Sequence, residues 1–197
     1  MNTELRLHSI VRPKKPDYKH GKPHRIFENR LKQDLTADKV NQKWCMDFTY
    51  LFLADYEVRY NCTIIALHDR SVVVGITDRH ITSDLAIHTL QKALDSQPAV
   101  KGELLLPSNQ GSQYTLKAFL EFCESVHVTQ NMNKAGYPYD NALMERYFNT
   151  LKNECTNLYE FQAEEAFYLT EEEFTYVSYN QCVPIVLMDI RRLIRHV

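Results

Sequence analysis

The pattern of apolar positions divides the chain near Trp44. Residues 1–40 show no helical or alternating period, and Pro13, Pro16, Gly21 and Pro23 keep any long helix from running through them. This stretch is expected to lie extended, as an arm. From Trp44 the run WCMDFTYLFL is aromatic and β-branched and predicts a strand, with Ala54-Asp55 as the turn after it. Glu57–Leu67 and Ser71–Thr77 predict two further strands in an antiparallel meander. Ser83 can cap a helix in which Ala86, Leu90, Ala93 and Leu94 recur at helical spacing, ending before Pro98. A short strand at Glu103–Leu106 follows, then a helix capped by Thr115 with Phe119, Phe122 and Val126 inward, then a strand near His127–Gln130. After a loop, NKAGYPYD, Asp140 is the expected N-cap of a longer helix carrying Met144, Phe148, Leu151 and Cys155 on one face. Strands and helices in this order predict an α/β layer around a mixed sheet of about five strands.

Composition narrows the class. A chain of 197 residues, 44% apolar and 24% charged, has room for one sizeable core, here assigned to 41–182. No apolar run approaches the roughly 20 residues that span a bilayer. The opening MNTELRLHSI has no apolar centre or small-residue cleavage site, and five scattered cysteines suit reduced thiols, so a cytoplasmic location without membrane contact is expected. Charge is uneven: residues 1–43 hold 11 Lys and Arg against 5 Asp and Glu, a balance of +6, and the rest of the chain carries −8. A basic arm on an acidic body suggests contact with a polyanion, with Lys14 and Lys15 as candidates; a solvated linker is the alternative.

Three features can carry chemistry. Asp47 puts a carboxylate inside a run that would otherwise be apolar, where a structural hydrogen bond is the commoner role. Glu145 shares a helical stripe with Asn149 and Lys152, which alone reads as an ordinary solvated face. In LLLPSNQGSQY an apolar strand runs directly into a polar loop. None is decisive alone. His20 and His24 with Cys45 and Cys62 lack the close Cys pair that a structural zinc module wants.

Taken together, WCMDFTYL, SNQGSQY and DNALMERYFNTLKNE, in this order, resemble the integrase-core DDE transposases of bacterial insertion sequences, in particular the second-frame (OrfB) type. Thirty-five residues lie between Asn109 and Glu145, the spacing that superfamily keeps between its second and third acidic residues. The resemblance implies an RNase H-like fold, DNA as partner, self-association or association with full-length transposase, and phosphoryl transfer with two Mg²⁺ ions, Mn²⁺ being the more tolerant substitute. It implies that Asp47, position 109 and Glu145 converge as catalytic and metal-holding residues, that Lys152 meets DNA phosphates, and that Gln113 and Tyr114 line the DNA path.

Departures from the family pattern bear on activity. Pro107-Ser108-Asn109 stands where the family has His-Ser-Asp, so one of three carboxylates becomes an amide and metal binding should be weakened or reduced to a single ion. Asn131-Met132-Asn133 replaces Ser-Met-Ser. After Tyr179-Asn180 the family continues Arg-Pro-His-Ser, whereas codons for VPIVLMDIRRLIRHV can spell that segment in the neighbouring frame. Residues 183–197 are therefore expected to be a frameshifted tail on a truncated, inactive chain; an amphipathic tail helix is the alternative.

Overall fold

The computed structural model describes residues 37–54, 56–98, 100, 104–108, 112–132 and 142–181. The arm with Lys14 and Lys15, Asn109, the expected cap Asp140 and the tail 183–197 lie outside the described residues.

Five strands form one mixed sheet: β1 (Trp44–Phe52), β2 (Val58–Ala66), β3 (Val72–Asp78), β4 (Leu104–Ser108) and β5 (Val128–Met132). Their spatial order is β3-β2-β1-β4-β5. The first three make the expected antiparallel meander, while β4 runs parallel to β1 and β5 parallel to β4. The β1–β2 turn is closed by Leu53 N–H on Glu57 O, with Tyr56 at φ 62°.

Alternation along the strands sends residues to two different cores. Trp44, Met46, Cys62, Ile64, Leu104 and Leu106 face one side, where they pack against α1 (Ser83–Ser96) and α3 (Lys117–Ser125). Cys45, Leu51, Ile65 and Val72 face the other, under α4 (Ala142–Leu151) and α5 (Glu164–Glu173). A sheet covered by helices on both faces buries both, which is why consecutive residues such as Trp44, Cys45 and Met46 of β1 and Ile64 and Ile65 of β2 are apolar, although β2 also carries buried Arg59, Asn61 and Thr63.

The expected elements are present, with shifted ends. Thr82, not Ser83, caps α1: its hydroxyl accepts from Leu85 N–H at 3.1 Å while its backbone stays extended. Thr115 ends a separate four-residue helix, α2 (Ser112–Thr115), and α3 begins after Leu116 with no side-chain cap. Both α4 and α5 continue as π-helical turns, at Lys152–Thr156 and Phe174–Tyr179. The second of these covers the outer edge of β3. The Asn180 side chain accepts from Val72 N–H at 2.8 Å and donates to Val72 O at 2.9 Å, and Gly75 N–H donates to Tyr176 Oη at 3.1 Å. An edge strand left open would invite pairing with other chains. Among the described residues no helix is long and apolar enough to cross a membrane.

Candidate functional site

Strand β1 leads on to β2 on one side of the sheet, and β4 leads through α2 and α3 to β5 on the other. The parallel pair β1–β4 is therefore the switch point of the topology, where open α/β sheets form a crevice at the carboxyl ends of their strands. The last described pair between them is Met46 with Ser108. Asp47 stands immediately beyond it on β1, and Asn109 follows Ser108 in the sequence.

Asp47 is 5% exposed. Its Oδ1 accepts from the N–H of Phe48 at 2.8 Å. By alternation it shares a face with Cys45 and Leu51, the face on which α4 lies. Helix α4 is fixed there by buried Met144, Tyr147, Phe148 and Leu151, and Glu145, next to Met144, stays exposed. The fold thus puts the two predicted carboxylates on one side of the sheet, one from its central strand and one from the helix across it. Asn149 is exposed as expected of the polar stripe. Lys152 is half-buried, with its ammonium 4.3 Å from the centre of the Tyr50 ring, a cation–π contact that holds it against β1 past Asp47.

Tyr114, expected along the DNA path, is fully buried, its ring 5.4 Å from that of Phe48 and 5.5 Å from that of Phe119, so it packs in the α1–α3 core. Gln113, one residue earlier on α2, is half-buried. Helix α2 is tied to the end of β4 by Gln130, whose Nε2 donates to Tyr114 O at 3.1 Å and to Ser108 Oγ at 3.4 Å.

The donor set is one of hard oxygens. Among the described residues no three His, Cys, Asp or Glu side chains gather as metal ligands. Cys45 and Cys62 lie on opposite faces of the sheet, and burial pushes both thiols far above their ordinary range, away from the thiolate form that zinc needs.

A five-stranded mixed sheet in the order β3-β2-β1-β4-β5, with helices on both faces and a buried carboxylate beside its switch point, is an RNase H-like fold. The family model "Integrase core domain" matches residues 37–138, and the chain belongs to that family. It is 31% identical to the transposase InsF for insertion sequence IS3A of Escherichia coli over 162 residues, which are 82% of this chain and 55% of that protein. An uncharacterised 31 kDa protein of insertion element IS600 from Shigella sonnei is 30% identical over 165 residues, 79% of this chain and 57% of that protein. The chain spans about half the length of these relatives. In fold it is similar to a chain of a simian T-cell lymphotropic virus intasome, with TM-score 0.61 and 16% identity over 83% of this chain and 55% of that one. It is also similar to the HTLV-2 integrase catalytic core domain in complex with magnesium, with TM-score 0.51 and 19% identity over 70% and 87% of the two chains.

Two features of the helix-covered face are not evident from the sequence. One is the carboxylate of Glu164, which binds Arg59 Nε at 2.8 Å, Arg79 Nη2 at 2.5 Å and the Tyr168 hydroxyl. The two guanidinium groups hold it well below the usual carboxylate range. The other is Glu171, buried under α5.

Proposed function

We propose that this chain is the integrase-core portion of an insertion-sequence transposase, acting in DNA transposition, with a catalytic centre reduced in metal affinity by Asn109. The observation that supports the reading is Asp47, buried beside the β1–β4 switch point on the sheet face covered by α4, the helix that carries Glu145, in a chain of the integrase-core family. A divalent cation of the Mg²⁺ class would supply charge stabilisation to the attacking and leaving oxygens of an in-line displacement at phosphorus. Asp47 and Glu145 would hold it with anionic oxygens. Asp47 is pre-set for this, because the Phe48 N–H fixes one carboxylate oxygen in place. Asn109 contributes a carbonyl acceptor without charge, too little to help hold a second ion. Lys152 would supply a cation to a DNA phosphate passing the crevice, and Gln113 would line the same DNA path. Lys14 and Lys15 engage the phosphate backbone from the arm.

DNA ends, target DNA and other transposase subunits, full-length ones included, are the partners this reading requires, in the cytoplasm. The loss of one of three carboxylates favours a second reading within the same assembly: a non-catalytic remnant that binds DNA or transposase without cutting. Strand-transfer and gel-shift assays on the purified chain separate the two. The expected result is a shifted DNA band, no strand transfer with Mg²⁺ and at most a trace with Mn²⁺. Efficient Mg²⁺-dependent transfer overturns the inactive centre, and absence of any shift at low salt overturns the DNA-acting role.

A further inference from the structure

Between the sheet and α5 lies a layer of polar side chains with no place in the chemistry above. Glu171 is 5% exposed and points down onto the sheet. Its Oε1 accepts from Asn61 Nδ2 at 3.2 Å and from Thr175 Oγ1 at 3.4 Å, and its Oε2 accepts from Thr77 Oγ1 at 3.1 Å. The second N–H of Asn61 goes to Thr77 Oγ1 at 3.0 Å, and its Oδ1 accepts from Thr63 at 2.6 Å. Thr175 in turn meets the Tyr147 hydroxyl at 3.0 Å. Thus β2, β3, α4, α5 and the π-turn after α5 all converge on one buried carboxyl group.

We propose that Glu171 is a proton-operated fastener: as the neutral acid it clamps α5 and its π-turn to the sheet, and on losing its proton it loosens them and uncovers the β3 edge.

The geometry supplies hydrogen bonds but no counter-charge. Among the described residues no Lys or Arg forms an ion pair with Glu171. Arg59, on the same face of β2, is already committed to Glu57 and Glu164. The titratable groups around the carboxyl are Tyr147 from α4, Cys155 from its π-turn, Tyr176 from the second π-turn, Glu172 on α5 itself and, at longer range, Lys92 from α1. Burial raises Tyr147, Tyr176 and Cys155, so all three stay neutral through the physiological range and offer no charge of their own.

Burial likewise raises Glu171, to about 7, outweighing the hydrogen bonds from Thr77 and Thr175. In an unfolded chain a Glu titrates near 4.3. The folded state therefore holds the proton more tightly, and its stabilisation is complete below about pH 4.3 and lost as pH rises through about 7. This is opposite in sign to an ordinary salt-bridged carboxylate. The elements released are those that cap Val72 and Gly75 through Asn180 and Tyr176.

Amide hydrogen exchange on the full chain tests this, read from about pH 5.5 to 8 and corrected for intrinsic rates. The Val72 and Gly75 amides should lose about tenfold of their protection over that range, beneath the roughly thirtyfold ceiling such a shift allows there. The Leu105 amide, which donates to Gln42 O on the far side of the sheet, should not follow. In Glu171→Gln, which keeps the side-chain shape and cannot ionise, the slope at Val72 and Gly75 should vanish. Equal slopes in the two proteins overturn the proposal. Should the variant fail to fold, carboxyl ¹³C titration of the unaltered chain decides. A Glu171 midpoint near the physiological range supports the fastener, and one in the ordinary carboxylate range refutes it.

Discussion

A carboxylate and a hydroxyl, each in an interior position, meet opposite fates here. Asp47 is buried with its oxygen satisfied by Phe48 N–H, whereas Tyr114 buries a hydroxyl that has no hydrogen-bond partner among the described residues. Leaving a buried polar group unsatisfied costs about 1–3 kcal/mol, so removing it should be free or favourable. Tyr114→Phe is expected to leave the melting temperature unchanged or raise it. Tyr114→Ala deletes the ring between Phe48 and Phe119 and should cost roughly 3–5 kcal/mol. Neither should alter DNA affinity when folded, and a Tyr114→Phe protein that folds normally but binds DNA poorly would return this residue to the DNA path.

At the scale of elements, the C-terminal helical unit is held by few but specific bonds. Asn180→Ala removes both hydrogen bonds to Val72, exposing the N–H and C=O of an edge strand. A loss of about 1–3 kcal/mol is expected in chemical denaturation, together with concentration-dependent association through the freed edge. A denaturation midpoint equal to that of the unaltered chain would show that the edge needs no such cover. The strands are legible as aromatic and β-branched runs, and the face of α4 because helical spacing reports burial directly. Helix ends were not, since Thr82 and Ser83 are both good caps and only backbone geometry chooses between them. The π-turns were hidden because Leu151 and Cys155 keep an ordinary four-residue spacing across the first of them. Glu171 was hidden for a different reason. It opens a run of three glutamates of which Glu172 and Glu173 are exposed, and composition cannot tell which member turns inward. In the candidate site, the sequence shows Asp47 as a carboxylate in an apolar run and Glu145 as part of a polar stripe, and the fold sets α4 on the sheet face that Asp47 shares.

For the whole molecule, charge is expected to govern the proposed DNA binding. The +6 balance of residues 1–43 faces an acidic remainder in which no Lys or Arg occurs between Asn153 and Ile190. Binding to duplex DNA is therefore expected to be weak, largely non-specific and strongly dependent on salt. If about four phosphates are neutralised, each doubling of salt should reduce affinity roughly tenfold. Removal of residues 1–36 should abolish most of the binding in a gel-shift titration. Tight, sequence-selective binding above physiological salt would instead assign base reading to the core. In the proposed reading, metal affinity at the switch point is set by one amide, that of Asn109. Calorimetric titration of Mg²⁺ into the chain and into Asn109→Asp tests the central claim most directly, because the substitution restores a charge without changing side-chain shape. Affinity should rise about tenfold, or ~1.4 kcal/mol, in Asn109→Asp. Equal Mg²⁺ affinity in the two proteins would contradict the account, because Asn109 would then not be what weakens this site.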